Sequence, residues 1–375
     1  MKYIIRNAEL GMRNWLCGIM AIVILASCER RELSYDYYPY HDIEVNVDWS
    51  KFKGEKPTGV SVWVYPQDGS EPLQFRSTNV DKVKIHAPKG THDIVVFNQI
   101  PIDFGTIDFR ETDKLSTFQV FATKDESQTW YKAQEGELVL RQPEAFATNI
   151  HRDLVITQEM VDKSWAMYTN QKPQGVIDST HTTSIYVTPT MATKRVRVEV
   201  GVKGIHNLRS LRAAIKQMSA GYNINEHIEN NAYSTSLLTE WRSTGGYGKG
   251  YITTEYDVFG FADQQPTTKA ADYKKWKGSI AIEALLVDNK TVKTFNIPID
   301  GATMIDLLVG EIDILVRISI DENKDLDLPD VDPDGSGGSG SGGSGGSGGG
   351  SGSGGGGFDA EVEDWDEEEN VELPV

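Results

Sequence analysis

The sequence predicts an all-β protein built as two tandem β-sandwich halves with one short helix and a tethered, strand-like C-terminal segment. Three features carry that prediction: recurrent apolar–polar alternation, turn residues that punctuate it at short intervals, and almost no helical periodicity. The alternation starts at Asp42. IEVNVDW puts Ile43, Val45 and Val47 on one face; GVSVWVYP follows with Val60, Val62 and Val64, until Pro66 and a QDGS turn stop it. VKIHAP, THDIVVFNQ, TFQVFAT and ELVLRQP continue the series, so the first half covers residues 42–148.

Residues 149–180 connect the halves. Within them, LVITQEMVDKSW has the composition of either a short helix or a strand. The second half, residues 181–322, opens with the strand-like SIYVTPT, and KRVRVEVGVKG then turns Val196, Val198, Val200 and Val202 inward. NLRSLRAAIKQMSAGYNI carries the one clear helical spacing, at Leu208, Leu211, Ala214 and Ile215, and is the expected helix. GYITTEYDVFGFA, GSIAIEALLVDN, TVKTFNIPID and EIDILVRISID return to the alternation of half-buried sheets.

A hydrophobic share of 39% over 375 residues is enough for a buried core. The formal net charge of -18 argues against nucleic acid as a partner, because phosphate binding needs clustered Lys and Arg. Much of the acidity is concentrated in residues 321–334 and 359–372, so the folded body is less acidic than the total. Runs of this kind are usually solvated segments.

The N-terminus reads as an export signal. Lys2, Arg6 and Arg13 precede an apolar run over residues 15–26 that is short for a membrane span. It ends in Leu25-Ala26-Ser27-Cys28, which resembles the lipobox of bacterial lipoproteins, cut before a cysteine whose thiol carries lipid. Residues 1–27 are then a signal peptide, and 28–41 a linker behind lipidated Cys28. The other cysteine, Cys17, lies in the removed segment, which leaves no disulfide, zinc cluster or cysteine nucleophile. One acyl chain binds a bilayer weakly, so stable anchoring needs more than one.

Signals for catalysis are sparse. The seven histidines (His41, His86, His92, His151, His181, His206 and His227) show no metal-ligand spacing, and the PKG turn flanked by His86 and His92 reads as surface. No G-x-S-x-G elbow is present. GGYGKG, residues 245–250, lacks the P-loop spacing and reads as a hairpin loop. No carboxylate pair is singled out for hydrolysis. DVDPDG spaces Asp330, Asp332 and Asp334 as in calcium loops, and Asp321, Asn323 and Asp325 repeat the spacing upstream. Neither run reaches a glutamate at loop position twelve; the first register arrives at Ser341. Low-affinity calcium binding is therefore the alternative to a charged, extended lead-in. No other cofactor is implied.

That lead-in and the Gly/Ser run occupy residues 323–357, with pure glycine and serine over 335–357. Such a linker behaves as a coil with a root-mean-square span of about 26 Å. Beyond it, residues 358–375 begin FDAEVEDW, where Phe358, Ala360 and Val362 share one face and Trp365 adds an aromatic anchor. Three roles are open to this tail: a strand donated to another subunit, a strand folded back on its own sheet, or a disordered acidic terminus.

VTPTMATKRVRVEVGVKG, LRSLRAAIKQMSAGYNI, YDVFGF and IEALLVDNKTVKTFNIPID together resemble the C-terminal domain of fimbrillin-like pilus lipoproteins. The lipobox and the LVLRQPEAF junction extend the resemblance over most of the mature chain. It implies two transthyretin-like sandwich domains, an outer-membrane lipid anchor at the cell surface, and a structural, accessory or anchoring role in adhesive fimbriae. It brings no catalytic residues, and its partners would be other fimbrial subunits. The long tether and acidic ending depart from major stalk subunits. The alternative is a surface lipoprotein that binds glycans or a host protein, for which a planar exposed row from Trp63, Tyr65, Trp130, Trp241, Tyr247 or Trp276 would be the signature.

Overall fold

The computed structural model describes residues 39–126, 130–168, 182–238, 240–245, 248–262, 277–299, 303–307, 312–318 and 326–333. The chain is all-β, as the alternation predicts, with one α-helix among the described residues.

In the first half, β10 (Thr183–Val187), β1 (Tyr40–Val47) and β4 (Lys82–Pro88) form one sheet in that order. It faces a second sheet ordered β11 (Thr190–Met191), β9 (Ala147–Ile156), β5 (Gly90–Asn98), β2 (Val60–Pro66) and β3 (Leu73–Ser77). Ile43, Val45 and Ile85 meet Val60, Val62, Ile94 and Val96 between them. Each fully buried aliphatic side chain contributes about 1.5–3 kcal/mol.

The inner strands of the second sheet, β2 and β5, are buried on both faces. Trp63, Tyr65, Val95 and Phe97 point away from that core into another one, beneath a bridging sheet. The bridging sheet is ordered β15 (Ile228–Glu229), β14 (Gly221–Asn223), β7 (Gln119–Ala122) and β6 (Ile107–Arg110). Trp63 stacks on Phe118 with centroids 5.0 Å apart and planes 8° from parallel. Phe97, Phe109 and Phe146 close the cluster edge-on or tilted. Because β7 comes from the first half and β14 from the second, the two halves share this aromatic core.

The second sandwich opposes two further sheets. One is ordered β17 (Arg242–Gly245), β18 (Lys249–Val258), β12 (Lys194–Lys203), β22 (Ile314–Ile318) and β21 (Thr303–Leu307), with β23 (Leu326–Asp327) also paired to β12. The other is ordered β20 (Val292–Ile299), β19 (Gly278–Leu286), β13 (Leu208–Ser219), β16 (Tyr233–Leu238) and β8 (Val139–Leu140). The four inward valines of β12 meet Ile215, Ile280 and Ile282 across the gap.

The structure revises three expectations. The segment expected to be helical is β13, a twelve-residue interior strand. Its register slips between Leu208 and Ser210 and again between Lys216 and Met218, with Gln217 at φ 66°. Each bulge inserts one residue, so the side chains reaching the core are Leu208, Leu211, Ala213, Ile215 and Met218. Steps of three, two, two and three imitate a helical stripe. Second, LVITQEMVDKSW divides: β9 runs to Ile156, and α1 (Gln158–Tyr168) follows. The Thr157 hydroxyl accepts the Met160 N–H at 3.3 Å and caps α1, while Val161 enters the first core. Third, SIYVT, read as the opening of the second half, is β10, which pairs in parallel with β1 from Ile43↔Thr183 to Val47↔Val187. Ile185 and Val187 complete the first core rather than the second.

Candidate functional site

The course of the strands places the two described chain ends far apart. β1 runs toward the seam between the halves, where the Asp48 N–H donates to Val187 O and Lys53 pairs with Asp313 at 2.5 Å. Its start, Tyr40, therefore lies at the opposite end of the first sandwich, beside α1. There the buried His41 ring sits 2.9 Å from Ser164 Oγ through Nδ1 and 2.8 Å from Thr183 Oγ1 through Nε2. β12 begins at the seam with Lys194 and runs away from it, so Lys203 marks the far end of the second sandwich.

The acidic lead-in docks at that far end. Sequence composition points to a solvated segment, but Leu326 and Leu328 are 1% and 3% exposed and belong to the second core. β23 pairs in parallel with Val202 and Lys203, and the Leu328 N–H donates to Lys203 O at 3.0 Å. Gly204 makes this approach feasible. Its φ is +69°, and a Cβ there would lie 2.2 Å from Leu328 O. Asp330 then anchors the outgoing chain: Asn207 Nδ2 donates to its Oδ1 at 3.0 Å, and His206 Nε2 lies 3.2 Å from the same oxygen. The Asn207 hydrogen bond, with the His206 ring nearby, holds the Asp330 carboxyl below its ordinary range. The missed signal was the Leu326-Asp327-Leu328 alternation inside a stretch dominated by charge.

Of the calcium candidates, Asp330 is turned toward these donors and Asp332 is exposed, while Asp334 lies outside the described residues. Among the described residues no three His, Cys, Asp or Glu side chains are grouped to hold a metal ion. Asp321, Asn323 and Asp325 also lie outside the described residues, as do Cys28, Phe358, Ala360, Val362 and Trp365.

The aromatic candidates among the described residues do not assemble into an exposed row. Trp63 and Tyr65 are in the shared core, and Trp241 is buried with its Nε1 donating to Leu238 O at 3.0 Å. Trp130 is half-buried beneath the Arg212 guanidinium, 4.7 Å from its ring centroid. Tyr247 and Trp276 lie outside the described residues. His92, read as a surface-turn residue, is buried, with Nε2 2.8 Å from Pro88 O. Gly245 and Gly250, at the two ends of GGYGKG, pair across β17 and β18.

Two groups of features remain that bear on assembly and cohesion. β17 ends its sheet with all four residues exposed, and β10 ends another with Tyr186 78% exposed. Such edges are sites where a further strand can pair. At the seam, Lys194 pairs with buried Glu229, and Asp313 joins Lys53 and the Arg195 N–H. Burial there raises the Asp257 carboxyl, opposed by Arg195 beside it. Nothing in the spacing of these residues along the sequence marked the cluster.

The described residues form an all-β scaffold with interlocked halves, open sheet edges and a docked exit at the far end of the second sandwich. The chain belongs to the DUF5119 family, a domain of unknown function, whose model matches residues 27–239. A Bacteroides ovatus protein described as a fimbrium anchoring subunit, Fim4B, is 28% identical over 93 residues. That match covers 25% of this chain and only 27% of the relative's length. A crystal structure of a Bacteroides ovatus protein described as an adhesin shares the fold at TM-score 0.56 and 15% identity, covering 81% of this chain and 98% of that one. The fimbrial anchor protein Mfa2 from Porphyromonas gingivalis aligns more distantly, at TM-score 0.38 and 13% identity, over 70% of this chain and 83% of its own.

Proposed function

We propose that the protein is a non-catalytic, lipid-anchored surface protein that serves as a structural, accessory or anchoring subunit of adhesive fimbriae. The observation that carries this reading is the sequence match to a fimbrium anchoring subunit. The shared fold with a protein described as an adhesin and the lipobox-like start support it. Its partners are other fimbrial subunits, engaged through strand pairing at sheet edges, and the outer membrane, engaged through acyl chains on Cys28. With the start of β1 at one end and the docked exit at the other, the lipidated end faces the membrane and the tether leaves from the far side.

Three experiments bear on this. Electron microscopy of cells with and without the gene is expected to show surface filaments lost or detached in its absence; unchanged filaments would refute the role. Cys28→Ala is expected to move the protein out of the membrane fraction, and quantitative retention there would rule out the lipid anchor. Truncation after Asp334 is expected to leave the monomer's melting temperature unchanged while abolishing assembly. A lowered melting temperature would instead mean that the tail completes its own sheet, and no change in either would make it a passive terminus.

A further inference from the structure

We propose that Lys194 and Glu229 condense into an intramolecular isopeptide bond that joins β12 of the second sandwich to β15 of the bridging sheet. Lys194 Nζ contacts Glu229 Oε1 directly. The Glu229 side chain is 6% exposed, so its carboxylate is shielded from water, and the Lys194 side chain that reaches it is half-buried at 24%. Buried Ala192, Val258, Phe259 and Phe261 are their neighbours along the chain and across the strand pair. The carboxyl has little freedom. Gly260 at φ +153° packs against it so closely that a Cβ there would lie 2.4 Å from Glu229 Cγ and 2.8 Å from Cδ. A nucleophile held against a fixed carboxyl gains effective molarities that reach about 10⁵–10⁸ M once it is aligned on the carboxyl carbon.

Burial also favours the product. In water an ammonium and a carboxylate are well solvated and their condensation is uphill. In a low-dielectric niche the separate ions lose that solvation, and their mutual attraction seldom offsets the loss. An amide removes both charges at once. Burial lowers Lys194 to about 8, opposed by the Asp313 carboxylate, so the neutral amine needed for attack is accessible near neutral pH. Asp313, fixed by the Arg195 N–H at 2.9 Å and by Lys53, is the neighbouring carboxylate whose charge acts on Lys194.

The step balances without a co-reactant. The ammonium gives up a proton, the nitrogen lone pair attacks Glu229 Cδ, and the tetrahedral intermediate expels one carboxyl oxygen. Two of the ammonium's three protons leave with that oxygen as water, and the third stays on the amide nitrogen.

The inference is independent of the fimbrial reading and is tested on the purified full chain by tryptic mapping with mass spectrometry after denaturation. The expected result is a branched peptide containing Lys194 and Glu229, lighter than its linear parts by one water, with no cleavage after Lys194. Lys194→Arg keeps a cation beside Glu229 but is expected to give only linear peptides at full mass. Wild-type linear peptides cut after Lys194, or a water loss mapped elsewhere, would overturn the proposal. The wild-type map decides the matter even if the variant fails to fold.

Discussion

Trp63→Ala is expected to destabilise the protein by about 3–5 kcal/mol, the cost of emptying a large aromatic site in a core that cannot collapse. Trp63 is 3% exposed and touches Phe97, Phe109 and Phe118 as well as its neighbour Tyr65. Tyr65 and Phe97 lie on β2 and β5, Phe109 lies on β6 of the bridging sheet, and Phe118 immediately precedes β7. The loss should therefore weaken the junction between halves as well as the first half. Denaturant unfolding monitored by circular dichroism measures it. A shift worth less than about 1 kcal/mol would mean that the bridging core contributes little, since such truncations in cores normally cost several times more.

Replacing both Leu326 and Leu328 by alanine is the second large effect. Each buried leucine lost costs about 2–5 kcal/mol, and the two are in contact with one core, so the sum will not be strictly additive. The double variant should lower the melting temperature and expose the β12 end to amide exchange, beginning at Lys203. A Gly204→Val variant should reach the same state by another route, because its side chain would occupy the position of the Leu328 carbonyl in a left-handed backbone conformation. If the double alanine variant melts with the wild type, the docked segment is ornamental to the second sandwich.

How much of this was legible in the sequence depended on the range of the interaction. Alternation located β1, β12 and β18 because a half-buried strand records its inner face every second residue. In β2 the same valines were visible, but burial of Trp63 and Tyr65 on the other face was not, because it needs a third layer that no local pattern announces. β13 was misread for a physical reason: bulges at Arg209 and Gln217 shift the inward positions to a spacing that resembles a helix. β10 was assigned to the wrong half because its valine and isoleucine fit either core, and only pairing with β1, some 140 residues away, decides between them. The seam cluster of Lys194, Glu229 and Asp313 was invisible for the same reason. The Leu-Asp-Leu of the exit was in plain view, and net charge over a window concealed it.

The arrangement of the chain ends has a mechanical consequence. A pull applied between the start of β1 and the exit beyond Asp330 runs roughly along β1 and β12, lengthwise to their ladders. Strands dragged lengthwise past one another must break many hydrogen bonds together, whereas strands peeled from one end lose them singly. At the exit that load would first meet the two-residue β23 ladder and the Leu328-to-Lys203 hydrogen bond, so the docked segment sets the force at which the far end yields.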